Sequence, residues 1–372
     1  MRHRGEKQLI SCSLLLVLVL AAAGVVSCAA AATANTTSTT RSKPQAAALI
    51  VFGDSIVDPG NNNGINTIIK ADFPPYGHDF INHRPTGRFC NGRIPTDFIA
   101  SRLGLKDLLP PYLSPPPLDK HDLITGVSFA SGGTGFDPLT PKLASVISLP
   151  DQLAMFHEYL GQVRAAAGDA KAAEILSRGI FAICAGSDDV ANTYFTTPFR
   201  RVAYDIPSYV DLLVAGAEAF LRNVSARGAS KIGFVGMPPV GCVPSQRTLG
   251  GGLRRECEPR RNEAAQLYNA RIQGMIAGLN AEQGFGTLVV YLDIYRILDE
   301  LMERGDRYGF TETTKGCCGT GTIEVTGLCD SRFVSVCDDV SQHVFFDSYH
   351  PTERAYRIIV DDIFDNYIQV LI

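Results

Sequence analysis

The sequence predicts an α/β fold with a mainly parallel five-stranded sheet covered by helices on both faces. Short apolar runs without a helical period recur along the 372 residues, and long stretches of helical character separate them. Strands that alternate with long helices favour a parallel sheet, because neighbouring parallel strands need a long crossover connection. A content of 45% hydrophobic and 19% charged residues is ordinary for a protein with such a core.

The predicted strands are short runs that read as buried on both faces. The first, residues 49–52, is stopped by Gly53, and the second, near residues 127–129, is the shortest. The other three follow at residues 180–183, 232–235 and 288–292. The predicted helices span residues 150–167, 209–226 and 258–280.

Three stretches do not fit regular elements. Residues 56–96 are rich in Gly, Asn and Pro, and residues 107–122 contain five prolines. We expect both to be ordered loops on the rim of the sheet, where active sites of open α/β sheets form. Residues 306–340 are a Gly- and Cys-rich excursion that disulfides should staple. With no internal repeat and no linker composition, residues 48–372 are predicted to form a single domain.

The N-terminus has the pattern of a targeting segment. A basic start precedes an apolar run over residues 14–26, and small residues follow, which predicts a signal peptide and short leader over residues 1–34. The run is short for a membrane span, although an uncleaved anchor is the alternative. We therefore expect an exported, extracellular monomer with no transmembrane segment after signal cleavage. The net charge of −4 and the lack of a basic stripe exclude nucleic acid as a partner.

Cysteine usage also indicates export. Of ten cysteines, Cys12 and Cys28 lie in the signal region, and the remaining eight form an even set that suits an oxidising compartment. Adjacent Cys317 and Cys318 lack the two-residue gap of a zinc site, so disulfides are favoured there, with connectivity left open. Asn223 and Asn35 begin N-glycosylation sequons.

Ser55 is a candidate nucleophile because it follows the first predicted strand in the run Gly53-Asp54-Ser55. A serine at the carboxyl end of a strand, behind a glycine that permits a tight turn, lies at the mouth of the sheet. Helix capping is the alternative role for this Ser and Asp. The G-x-S-x-G elbow of another hydrolase fold is absent from this segment.

A matching base and carboxylate occur far downstream. A serine nucleophile needs a base to accept its proton, and the base needs a carboxylate to orient it. Asp347 and His350 are three residues apart, so one turn can present both to the same point. Pro351 disfavours helix at His350, which suggests a turn there.

These motifs resemble the GDSL, or SGNH, family of esterases and lipases, and within it the large plant branch with its extracellular lipases. The resemblance covers almost all of the chain from about residue 48 onward. Four blocks occur in the family's order, at residues 52–62, 126–135, 185–189 and 347–352. A Pro-Pro-x-Gly-Cys run at residues 238–242 is also usual in the plant branch.

The resemblance implies a three-layer αβα sandwich in which Ser55 attacks an ester carbonyl, His350 acts as general base and Asp347 orients it. It also implies an oxyanion hole formed by the backbone N–H groups of Ser55 and Gly132 and by a side chain of the third block. No metal and no organic cofactor are implied.

The third block departs from the family pattern, because Asp188 stands where an oxyanion-binding Asn is usual. An ionised carboxylate has no proton to donate. Three explanations compete: Asp188 stays protonated and donates its O–H, the two backbone donors suffice with slower turnover, or catalysis has been lost and binding kept.

Three functions are therefore compared: a secreted hydrolase of carboxylic esters, a binding protein on the same scaffold, and an acyltransferase that uses the same serine. The ester could belong to a lipid, a cutin-like polyester or an acetylated polysaccharide. Aromatic residues after the third block could line an acyl pocket or pack in the core, namely Tyr194, Phe195 and Phe199.

Overall fold

Four short strands form the central sheet. In the computed structural model, which describes residues 44–113 and 115–372, they are parallel and follow each other in the order β1-β2-β3-β4. The first two are buried along their whole length, as expected for parallel strands covered on both faces. The strands are β1 Leu49–Gly53, β2 Ile180–Cys184, β3 Lys231–Val235 and β4 Leu288–Leu292.

The predicted strand near residues 127–129 lies beside β1 but forms only an isolated bridge to it, between Ser128 and Val51. The N–H of Val51 donates to Val127 O at 3.1 Å, and the N–H of Phe129 donates to Val51 O at 2.8 Å. The segment runs only from Gly126, where a helix ends, to a turn that begins at Ser131. It is too short for a continuous ladder, so the sheet has four full strands and one bridged segment at its edge.

Helices cover both faces of this sheet. The α-helices are α1 Pro95–Arg102, α2 Lys120–Thr125, α3 Thr140–Ala144, α4 Leu149–Ala167, α5 Asp169–Arg178, α6 Ile206–Ala226, α7 Pro244–Gly250, α8 Pro259–Ala281, α9 Tyr295–Glu303 and α10 Glu353–Asn366. Alternate residues of β1 face the two helical layers: Ile50 and Phe52 pack with α4, α6 and α8, while Leu49 and Val51 pack with α1, α9 and α10. The three-layer αβα class is therefore confirmed.

The Cys-rich excursion is stapled as expected. Disulfides join Cys317 to Cys337 and Cys318 to Cys329, and a third joins Cys242 to Cys257. Within the excursion, β5 Glu312–Gly316 pairs in parallel with β6 His343–Phe345, which follows the excursion. His343 lies near Cys317 and Cys337, but these two sulfurs are bonded to each other, so no thiolate is left there for a metal.

The expectation that all eight cysteines pair is wrong for Cys90 and Cys184, which are free and buried. Burial raises the pKa of both thiols, so they behave as small apolar side chains in the core. The predicted signal peptide, the sequon at Asn35, and Cys12 and Cys28 lie outside the described residues. Within the described ranges, no helix is both long and apolar enough to cross a bilayer.

Candidate active site

The turn after β1 places Ser55 at the carboxyl edge of the sheet. Gly53 has a φ of +148°, and a Cβ at that position would collide with the carbonyl oxygen of Cys184, so the chain needs glycine to enter this turn. Ser55 begins a short 3₁₀ turn that ends at Val57. The carboxylate of Asp54 caps this turn by accepting from the Ile56 N–H at 3.1 Å. Ser55 is half-buried and borders a cavity.

A tight turn before α10 presents the base. The carboxylate of Asp347 accepts from the backbone N–H groups of Tyr349, at 2.8 Å, and His350, at 2.7 Å. The same carboxylate lies 2.8 Å from His350 Nδ1, and His350 Nε2 lies 2.8 Å from Ser55 Oγ. The structure therefore brings the three residues singled out as catalytic candidates into one continuous hydrogen-bonded chain.

Tyr76 extends this hydrogen-bonded network and was not identified from the sequence. Its buried hydroxyl donates to Asp347 Oδ2 at 2.7 Å and accepts from the Thr326 N–H at 2.8 Å. Burial and the charge of Asp347 raise the pKa of Tyr76, so the hydroxyl stays a donor. Residues 56–96 were expected to form a loop at the rim, but nothing in a single sequence marks this tyrosine.

The Gly132 N–H, expected in the oxyanion hole, is already used. It donates to Asp58 Oδ2 at 3.0 Å, and the neighbouring Gly133 is the glycine that borders the cavity beside Ser55. Ser55 is the first residue of its turn, where an N–H has no acceptor within the helix. Among the described residues, no hydrogen bond uses the N–H of Ser55 or of Gly133.

Asp58 organises the loop behind the nucleophile. Its carboxylate also accepts from the backbone N–H groups of Gly60, at 2.8 Å, and Asn61, at 2.7 Å. Burial raises the pKa of Asp58 to about 6, although these donors lower it. These contacts give Asp58 a structural role in this loop.

Asp188 lies in the wall of the same cavity, half-buried just beyond β2. Its Oδ1 accepts from Asn192 Nδ2 at 2.6 Å, and Asn192 Oδ1 in turn accepts from the Tyr349 hydroxyl at 2.8 Å. Desolvation raises the pKa of Asp188 to about 6, partly offset by the charge of His350 and by the Asn192 hydrogen bond. Asn192 was not singled out from the sequence, although its position four residues after Asp188 in a helical stretch is the available signal.

Two more carboxyls crowd this region. Burial, and then the charge of Asp188, raise the pKa of Asp54, whose Oδ2 is buried without a hydrogen-bond partner. Burial raises the pKa of Asp189 to about 7, although its carboxyl accepts from the Phe136 N–H at 2.8 Å and the Asp137 N–H at 3.1 Å. Ionisation of these carboxyls is therefore less favourable than that of ordinary carboxyls.

Two cavities border Ser55, with volumes of about 310 Å³ and about 50 Å³. The aromatic residues after the third block do not line either of them. Tyr194 and Phe195 are buried in the core, and Phe199 is 56% exposed. Core packing is therefore the better interpretation for the first two.

Comparisons with known proteins identify the family of this chain. The family model described as GDSL-like Lipase/Acylhydrolase matches residues 49–363. The chain is 47% identical over 321 residues to GDSL esterase/lipase EXL3 of Arabidopsis thaliana, covering 86% of this chain and 87% of that protein. It is also 47% identical over 319 residues to GDSL esterase/lipase At1g20120 of the same plant, covering 86% of this chain and 79% of the relative. The chain belongs to the GDSL-like lipase/acylhydrolase family.

Proposed function

We propose that this protein is a secreted hydrolase of carboxylic esters that works through an acyl-enzyme on Ser55. The observation that carries the proposal is the chain Asp347–His350–Ser55, in which each nitrogen-to-oxygen contact is 2.8 Å. This is the arrangement of nucleophile, base and orienting carboxylate that acyl transfer to serine requires.

In the first half-reaction, His350 Nε2 accepts the proton of Ser55 Oγ while Oγ bonds to the ester carbonyl carbon. The tetrahedral intermediate collapses by breaking the bond to the alcohol oxygen, and His350 returns the proton to that leaving oxygen. In the second half, His350 accepts a proton from water as the water oxygen attacks the acyl-enzyme. Collapse releases the carboxylic acid, and His350 reprotonates Ser55.

The oxyanion in this proposal is held by the backbone N–H groups of Ser55 and Gly133 and by the O–H of neutral Asp188. Gly133 replaces the expected Gly132, whose N–H donates to Asp58 at 3.0 Å. The raised pKa of Asp188 supports its role as a donor, since a protonated carboxyl presents an O–H. Each donor of this kind contributes about 3 kcal/mol to stabilising the transition state.

Labelling with a fluorophosphonate tests the nucleophile. The reagent should label the wild type and the control Ser177→Ala, which alters an exposed serine on α5, but not Ser55→Ala. Folded wild-type protein that resists the reagent would favour the competing function, a binding protein in which Asp188 has ended catalysis. Product analysis with added alcohol acceptors distinguishes hydrolysis from acyl transfer to an alcohol.

Export to the cell wall or extracellular space is part of the proposal. Three disulfides support it, because such bonds persist in oxidising compartments. The sequon residue Asn223 is exposed on α6, where a glycan can be accommodated. Mass spectrometry of protein purified from plant cell-wall fluid should find an N-terminus beyond the apolar run and a glycan on Asn223. An intact N-terminus in a membrane fraction would contradict export as a soluble protein.

A further inference from the structure

The two cavities beside Ser55 differ in size, and four residues border both of them: Ser55, Asp188, Tyr349 and His350. An ester has two arms, the acyl chain and the alcohol, which extend in different directions from the reacting carbonyl. With the carbonyl carbon at Ser55 Oγ, each cavity offers space for one arm. The sizes of the two cavities therefore limit the sizes of the two arms.

The large cavity has an apolar lining. Ile69, Phe89 and Val325 form part of its wall, and Ile68 and Leu143, which are 84% and 45% exposed, extend the apolar surface outward. Apolar side chains of this kind suit a hydrocarbon chain, which gains free energy in proportion to the area that leaves water.

Four of the five threonines that line the large cavity have hydroxyls already engaged in hydrogen bonds, so they present mainly methyl groups. The hydroxyl of Thr196 donates to Ala191 O at 2.7 Å, and that of Thr197 donates to Thr193 O at 2.8 Å. The hydroxyls of Thr140 and Thr193 lie 2.8 Å apart and share a hydrogen bond. A sugar ring would leave hydroxyls without partners against these methyl groups, and unpaired polar groups are costly to bury.

The small cavity is apolar and firmly held. Pro238, Val240 and Val243, from the segment after β3, line one side of it. The disulfide Cys242–Cys257 ties this segment to the start of α8, and the Gly241 N–H donates to Asn262 Oδ1 at 2.8 Å. At about 50 Å³, the cavity has about one sixth of the volume of the large one, which measures about 310 Å³.

Building on the proposed hydrolase function, we propose that the substrate is an ester with one long hydrocarbon arm and one arm of no more than about three carbons. A short acyl group on a long alcohol and a short alcohol on a fatty acid share this chemistry. The long arm lies in the large cavity and the short arm in the small one. Acetylated polysaccharides and esters with two long arms are disfavoured.

A panel of four esters tests the size rule: decyl acetate, methyl decanoate, decyl decanoate and glucose pentaacetate, dispersed in the same detergent and followed by acid release. Either decyl acetate or methyl decanoate should have a kcat/KM at least about tenfold above those of the last two, and the preferred one identifies the short arm. Decyl decanoate or glucose pentaacetate cleaved as fast as the better of the first two would overturn the proposal.

Enlarging the small cavity provides a second test. Val240→Ala and Val243→Ala should move the preferred length of the short arm upward by one or two carbons, with roughly a tenfold change in the kcat/KM ratio of butyl to methyl arms. The matched control Val224→Ala, on the buried face of α6, should leave that ratio unchanged. An unchanged ratio in both cavity variants would contradict the assignment of the short arm.

The two proposals fail in different ways. If wild-type protein cleaves none of the esters and does not react with the fluorophosphonate, the hydrolase function itself is wrong. If it reacts with the reagent and cleaves long and short arms equally, only the assignment of the cavities is wrong.

Discussion

The two halves of the site are held in different ways. In the acid–base half, Asp347 accepts hydrogen bonds from the hydroxyl of Tyr76, from two backbone N–H groups and from the His350 ring. In the half proposed to hold the oxyanion, the described residues give Asp188 a single hydrogen-bond donor, Asn192, and its pKa is raised to about 6. The proposed role of the first half therefore depends on hydrogen-bond geometry, whereas that of the second depends on whether Asp188 keeps its proton.

Asp347→Asn should break the acid–base half and have the largest effect. An amide can present its N–H to His350 Nδ1, which stabilises the wrong tautomer for accepting the proton of Ser55. We expect kcat to fall by about 10⁴-fold with the fold retained. Steady-state kinetics and circular dichroism check this, and a loss smaller than tenfold would show that Asp347 does not orient the base.

The pH profile separates the two halves. If neutral Asp188 donates to the oxyanion, wild-type kcat/KM should fall as the pH rises above about 6, by about tenfold per unit and about 100-fold at pH 8, because the donor proton is lost. Asp188→Asn should remove this fall, since an amide N–H does not titrate in that range. A wild-type kcat/KM that does not change between pH 6 and 8 would contradict the role of Asp188 as a neutral donor.

Asn192→Ala provides a second test of whether the protonation of Asp188 controls the rate. The hydrogen bond from Asn192 lowers the pKa of Asp188, so its removal should raise that pKa and move the fall in kcat/KM to higher pH. A structural role alone would lower the rate at every pH without moving the midpoint. A shift of the midpoint to lower pH would contradict the expected direction.

Tyr76→Phe should weaken the acid–base half without destroying it. The variant leaves the Thr326 N–H without its acceptor and Asp347 without one donor. The loss of these hydrogen bonds weakens the stabilisation of the Asp347 carboxylate by about 1–2 kcal/mol. We expect kcat to fall by about tenfold. The control Tyr295→Phe, which loses a hydrogen bond to Gln266 far from the site, should keep the wild-type kcat.

The smallest effect concerns stability. Burial raises the folded-state pKa of Asp54, Asp58 and Asp189 above the unfolded value. The folded state therefore binds protons more tightly than the unfolded state, and stability is lost as the pH rises through the raised values. The Tm should be higher at pH 5 than at pH 8 by at least about 2 °C. Asp189→Asn should reduce that difference, and a Tm that rises toward pH 8 would contradict this linkage.

Much of the architecture could be predicted because it depends on local pattern. Residues 288–292 were predicted as a strand and form β4 with the same bounds, and the helix predicted over residues 150–167 begins one residue earlier. Apolar runs and helical periods carry this information within a few neighbouring residues. The short segment at residues 127–129 is the exception, because three apolar residues do not reveal how far a ladder continues.

Ser55, Asp347 and His350 could be singled out because their motifs are short and contiguous, but the supporting contacts could not. Tyr76 donates to the carboxylate of Asp347, which lies 271 residues later in the sequence. Asp58 accepts from the N–H of Gly132, which lies 74 residues later. Backbone angles and distant side chains decide whether Gly132 or Gly133 borders the cavity. These angles and contacts are fixed only when the chain folds.

By itself, the sequence determined the α/β class, the four strands of the sheet, its three longest helices, and which residues could act as nucleophile, base and orienting carboxylate. The tertiary structure decided how the eight remaining cysteines are used, placed Gly133 beside the nucleophile, and shaped a large and a small apolar cavity around Ser55. Strands and helices can be predicted because their patterns depend on neighbouring residues. Cavities, raised pKa values and disulfide pairs depend on segments that come into contact only when the chain folds.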